Sequence, residues 1–245
     1  DEMNLSHVER YFSDFLSAME SDEEIPLYKV SSEKVKDEEE TSIPEKIRLP
    51  KNLFVTGTVN IDETTYMFSP KVLDRSNVVE FKPEKEAVLS LITGSIDVND
   101  VSRAGNGVAE GFINLAAMIR NGVCNVGQLK LKHVLEFLDS IYEELQESGF
   151  EFAYRTVKEI RQYFAAACEL QKEEFNLTRT MDEQIVQKIL PKIYGDRKQI
   201  GELLNTLEEK CQRGIEGDSE EMTLSLKKIE QMKKRLDKYQ YASFM

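Results

Sequence analysis

Tryptophan is absent from these 245 residues, histidine occurs only twice, and cysteine three times. Cys124, Cys168 and Cys211 are odd in number and far apart, with no Cys-x-x-Cys pair and only His7 and His133 to join them. Neither a disulfide framework nor a zinc site is written into that spacing, and the three read as buried free thiols. No apolar run reaches the ~18 residues that a membrane helix needs. The first residues show neither a basic patch nor an apolar signal core, so membrane insertion and secretion lack support and a cytoplasmic setting is expected. Positive charge is also short: 32 Lys and Arg against 45 Asp and Glu leave a net charge of −13. Phosphate neutralisation needs clustered Lys and Arg, so a large nucleic-acid groove on this segment is disfavoured. Any DNA contact is expected in an N-terminal region beyond this sequence.

What is present is a globular composition, 40% hydrophobic and 31% charged, enough for one good core or two small ones. Leu5, Val8, Phe12, Phe15, Leu16 and Met19 recur at helical spacing, and Ser6 with Glu9 reads as a capping box, predicting an amphipathic helix of about four turns. Ser21 to Glu45 is charged, including Asp37-Glu38-Glu39-Glu40. It reads as a surface loop with a short hairpin between Leu27–Val30 and Lys46–Leu49. Leu53 to Val59 is too apolar to alternate, as expected of a strand covered on both faces in a parallel sheet, and Asn77 to Phe81 reads as a second strand. Between Lys82 and Gly127 repeated glycines break the pattern.

From Leu129 onward the periodicity is helical. Leu131, Val134, Leu135, Leu138, Ile141, Tyr142 and Leu145 form a stripe stopped by Ser148-Gly149. Phe152 to Ala167 and Met181 to Leu190 give two more helices, the latter halted at Pro191. Ile200, Leu203, Leu204, Leu207 and Cys211 line one helix and Met222, Leu226, Ile229, Met232, Leu236 and Tyr239 another, predicting a C-terminal helical hairpin. Strands and helices in front with helices behind predict α/β plus all-α.

Several short polar constellations interrupt this pattern. Asp1-Glu2 precedes the first helix, where acidic side chains also suit the helix dipole. Asn60 ends the apolar run, a place where an asparagine also serves as a turn former. Arg75 follows Ser69-Pro70-Lys71-Val72-Leu73-Asp74, with Asp74 available as an ion-pair partner. Arg155 stands near the start of a helix, a position that the dipole disfavours for a cation.

Asp1-Glu2-Met3-Asn4, Gly57-Thr58-Val59-Asn60 and Leu73-Asp74-Arg75, in that order and spacing, resemble the McrB-like branch of AAA+ proteins, the nucleotide-hydrolysing motors of modified-cytosine restriction systems. The resemblance implies the C-terminal part of a P-loop NTPase beginning at the end of its Walker B motif. Its domains would be a truncated α/β core over 1–82, a helical lid with an insertion over 83–195, and a helical extension over 196–245. It implies ATP or GTP as substrate, Mg²⁺ held by Asp1, and a water polarised by Glu2, carboxylate chemistry that suits both tasks. Asn60 would be sensor 1 at the γ-phosphate, Arg75 an arginine finger reaching a neighbouring subunit, and Arg155 a sensor 2 residue in the lid segment Gly149 to Arg155.

The family's restriction GTPases usually read Asn-Thr-Ala-Asp where this chain has Asn60-Ile61-Asp62-Glu63, so base preference is not carried over. Ring assembly, usually hexameric, and an McrC-like endonuclease partner are further implications. The phosphate-binding loop is not among these residues, so the chain by itself is expected to be inactive and to bind no nucleotide tightly. Two rivals are a remodelling ATPase of the MoxR or dynein-related branch and, from another class, a non-catalytic helical interaction module.

Overall fold

The computed structural model describes residues 1–28, 43–60, 66–82, 85–90, 94, 107–124, 126–215 and 220–244. Its contacts divide the chain into two units, Asp1–Arg75 and Ser76–Met245. The acidic run Asp37–Glu40 and the pair Asp62 and Glu63 lie outside the described residues.

In the first unit, Met3–Leu5 makes one 3₁₀ turn, followed by α1 (Val8–Tyr11) and α2 (Ser13–Ser21). The single helix expected here is broken at Phe12, whose φ of −109° and ψ of 12° leave the helical region. Ser6 is extended, and His7 takes the cap position instead of the expected Ser6. Strands β1 (Ile25–Pro26) and β2 (Lys46–Ile47) pair antiparallel with Ile25 opposite Ile47. That hairpin sits slightly earlier in its first strand than expected, and Lys29 and Val30 fall outside the described residues. Helix α3 (Pro70–Leu73) starts on a proline, whose fixed φ and missing N–H suit a first turn. Val8, Leu16 and Val72 form the core, with Met3, Phe12 and Phe68 packed on it.

The second unit is helical: α4 (Lys85–Ser90), α5 (Ala109–Arg120), α6 (Gln128–Glu147), α7 (Tyr154–Gln171), α8 (Leu177–Gln184), α9 (Arg197–Arg213) and α10 (Thr223–Tyr239). Helix α5 falls in the glycine-broken stretch, and none of its residues is buried. Gly149, at φ 76°, ends α6 in the left-handed conformation, and Phe150 N–H bonds back to the Leu145 carbonyl at 2.7 Å. Strands β3 (Tyr194–Asp196) and β4 (Tyr241–Ser243) pair antiparallel, Gly195 opposite Ala242. Since β3 leads into α9 and β4 follows α10, the two helices form an antiparallel hairpin. Ile141, Leu145, Phe164, Met181, Ile185, Leu204 and Ile229 are fully enclosed in one core.

The expected α/β P-loop core is corrected by this architecture. Helices account for 63% of the structure and strands for 5%, and the described strands make two antiparallel two-stranded sheets. The run Leu53–Val59 is not a covered strand: Leu53, Phe54 and Val55 are 49%, 51% and 47% exposed. A continuous apolar run shows that a segment could be buried, but not that neighbouring strands exist to cover it. Asn77–Phe81 likewise forms no strand, and Phe81 is 91% exposed.

Candidate functional site

Polar residues at the start of the first unit meet those at Thr58 and Asn60. Met3 N–H donates to the Thr58 carbonyl at 2.9 Å, laying the segment Asp1–Asn4 alongside Thr58–Asn60. Side chains replace the remaining rungs. The Thr58 hydroxyl accepts the Glu2 N–H at 2.9 Å and donates to the Asp1 carboxylate. The Asn4 amide donates to the Asn60 carbonyl at 2.6 Å and accepts the Asn60 N–H at 3.3 Å. In this frame the Asn60 amide donates to Glu2 Oε1 at 2.6 Å. The carboxylate keeps acceptor capacity beyond this direct bond, so it can also accept from a water beside the pair.

Glu2 is itself unusual. Its φ of 46° and ψ of 50° are left-handed, a conformation that costs a residue with a Cβ free energy and persists only where surrounding bonds impose it. Gly57 allows the close approach: a Cβ there would run into the Met3 thioether. The Tyr11 hydroxyl donates to the Met3 carbonyl at 2.9 Å and ties α1 to the same strip.

Asp1, Glu2 and Asn60 are thus brought together. Arg75 belongs to the same unit but pairs with Glu20 at the end of α2, not with Asp74 next door. Its side chain is 15% exposed, and Nε and Nη1 are buried with no hydrogen-bond partner among the described residues. Arg155 lies in the second unit, half-buried in the first turn of α7. The α7 start, with Tyr142, Phe152, Tyr154, Lys158 and Arg161, lines a cavity of about 650 Å³. The sequence reading missed the parts that Asn4 and Thr58 play. Their signal was present: each is a polar residue beside an apolar one, in Asp1-Glu2-Met3-Asn4 and Gly57-Thr58-Val59-Asn60.

The donor set Asp1, Glu2 and Thr58 is all hard oxygen, the chemistry that Mg²⁺ prefers when phosphate oxygens fill the rest of its shell. Asp1 can offer a carboxylate to such an ion, which would supply positive charge against phosphate. The Thr58 hydroxyl, however, is engaged by Asp1 and the Glu2 N–H, and among the described residues no three His, Cys, Asp or Glu gather as a metal site.

The class so defined is a helical domain preceded by a small unit in which a glutamate and an asparagine side chain are hydrogen-bonded. By a family model matching residues 108–241, the chain belongs to the family described as Domain of unknown function (DUF8727). That match lies within the helical unit. No curated protein and no solved structure matches the chain. Among the described residues, no helix is long and apolar enough to cross a membrane.

Proposed function

We propose that this chain carries the water-orienting part of a nucleoside-triphosphate hydrolysis site in an oligomeric motor of the McrB-like type. The observation that carries the reading is the 2.6 Å bond from the Asn60 amide to the Glu2 carboxylate. Their frame joins residues more than fifty positions apart. The reading rests on this local geometry and not on the fold. Glu2 orients and polarises the attacking water, and the Asn60 amide donates to that water or to the γ-phosphate oxygen. Asp1 holds Mg²⁺, and Arg75 leaves Glu20 to reach the nucleotide of the adjacent subunit. ATP and GTP are both candidate substrates. A ring assembly in the cytoplasm, an McrC-like nuclease partner and DNA contact through another region complete the proposal.

Steady-state phosphate release by the full-length protein tests it. Arg75→Ala should lower turnover about 10³-fold or more, as removing an arginine finger does. Glu2→Gln and Asn60→Ala should each lower turnover by about 10²-fold or more, as removing a preorganised polar group does. Unchanged turnover in all three variants would sink the assignment. One observation favours a second reading, a helical interaction module: the family match lies wholly in the helical unit, outside Asp1–Arg75.

A further inference from the structure

We infer that Asn4 is a positioning residue for this hydrolytic pair, an inference that rests on reading Glu2 and Asn60 as that pair. Asn4 is 4% exposed, and a buried amide must be satisfied by hydrogen bonds. Both of its polar atoms go to the backbone of one residue: Nδ2 to the Asn60 carbonyl at 2.6 Å and Oδ1 from the Asn60 N–H at 3.3 Å. The side-chain amide therefore acts as a strand neighbour would, closing a two-bond ring around Asn60.

The backbone of Asn4 is committed elsewhere. It sits inside the 3₁₀ turn Met3–Leu5, and its carbonyl accepts the Tyr66 N–H at 2.9 Å. Fixing both backbone groups of Asn60 fixes the direction of its Cα–Cβ bond, and so the reach of its amide to Glu2 Oε1. Aspartate is the informative replacement. It has nearly the same shape but lacks the Nδ2 donor, and it places a carboxylate against the Asn60 carbonyl. Glutamine keeps both atoms and moves them by one methylene.

The test is steady-state kinetics of Asn4→Asp and Asn4→Gln in the full-length protein, with Glu2→Gln as reference. Thermal melting and hydrogen exchange of the Asn60 amide are measured on the same samples. A misplacement of about 1 Å is expected to lower kcat on the order of 10²-fold. KM should stay within about two-fold, since ground-state binding is untouched. Asn60 N–H exchange should quicken in both variants while most of the protein remains folded at the assay temperature.

An unchanged kcat in both Asn4 variants, with Glu2→Gln inactive, overturns the role of Asn4 and leaves the pair standing. A fall in kcat matched by the loss of folded protein makes Asn4 merely structural and also overturns it. Failure of both variants to fold does the same. A Glu2→Gln protein as active as the wild type removes the pair itself, and the inference with it.

Discussion

Among the described residues Lys188 is the most buried charge of the second unit, with its side chain 1% exposed, paired with Glu159 and donating to the Ser76 carbonyl at 2.8 Å. Taking the carboxylate away leaves a buried ammonium undercompensated, whereas taking the ammonium away leaves a partly solvated glutamate. Glu159→Gln should therefore cost about 3 kcal/mol in urea denaturation, and Lys188→Met should cost less. Glu80 gives a pH-dependent counterpart. Burial raises the pKa of its carboxyl, but hydrogen bonds and charge from Lys228 and Lys82 outweigh this and hold it below the ordinary value. A carboxylate so depressed contributes stability above its unfolded pKa and loses it as pH falls through the folded one. Glu80→Gln should flatten that acid limb of the stability curve, measured by melting temperature against pH.

Burial pushes the Cys211 thiol up to about 12, helped by Asp182. Cys211 should resist thiol reagents at pH near 8 until the chain unfolds, while half-buried Cys124 and Cys168 label earlier. Asp1, Glu2 and Asn60 stand out in the sequence one by one as polar residues flanking apolar ones in Asp1-Glu2-Met3-Asn4 and Gly57-Thr58-Val59-Asn60, as Arg75 and Arg155 do near helix ends. The contact between Glu2 and Asn60 and the Glu20 partner of Arg75 were not legible, since both depend on how the chain returns over more than fifty residues.

Among elements, the stripe of α9 was readable because helix periodicity is local: Ile200, Leu203, Leu204, Leu207 and Cys211 are all buried as spaced. In α6 and α10 the helices were readable, but Leu135 and Tyr239, read into their stripes, are 65% and 64% exposed. Where α10 is capped was not readable. Asp182, from α8, is 3% exposed and accepts the Leu224 and Ser225 N–H groups at 2.8 and 2.7 Å. A buried carboxylate at a helix N-terminus satisfies free amides and the dipole together, so Asp182→Ala should cost about 2 kcal/mol, read from chemical denaturation. Pro191 likewise acts at a distance. It has no N–H to offer the Gln187 carbonyl one turn back, and the freed carbonyl accepts the Val78 N–H at 3.1 Å. The backbone widens into a π turn at Ile185–Ile189 just before it. This is why Asn77–Phe81, which reads as a strand by composition, is anchored to a helix instead.

At the scale of the whole molecule the two units differ in what their cores can support. Ser76–Met245 encloses many apolar side chains in one cluster, whereas Asp1–Arg75 gathers Val8, Leu16 and Val72 with a few partly buried neighbours. Small cores rarely sustain folding alone. Residues 76–245 expressed alone should therefore melt cooperatively, and residues 1–75 alone should not, as followed by circular dichroism. The helical character of the second unit was legible from its repeating stripes. The architecture of the first was not, because the run Leu53–Val59 carries no record of which partners would cover it.

The account turns on Glu2 and Asn60 acting as one device, and a double-mutant cycle on NTP turnover of the full-length protein tests that most directly. Glu2→Gln, Asn60→Ala and the double variant should show strong non-additivity, the double being about as slow as the slower single variant. Losses that multiply, or no loss in any of the three, would contradict it.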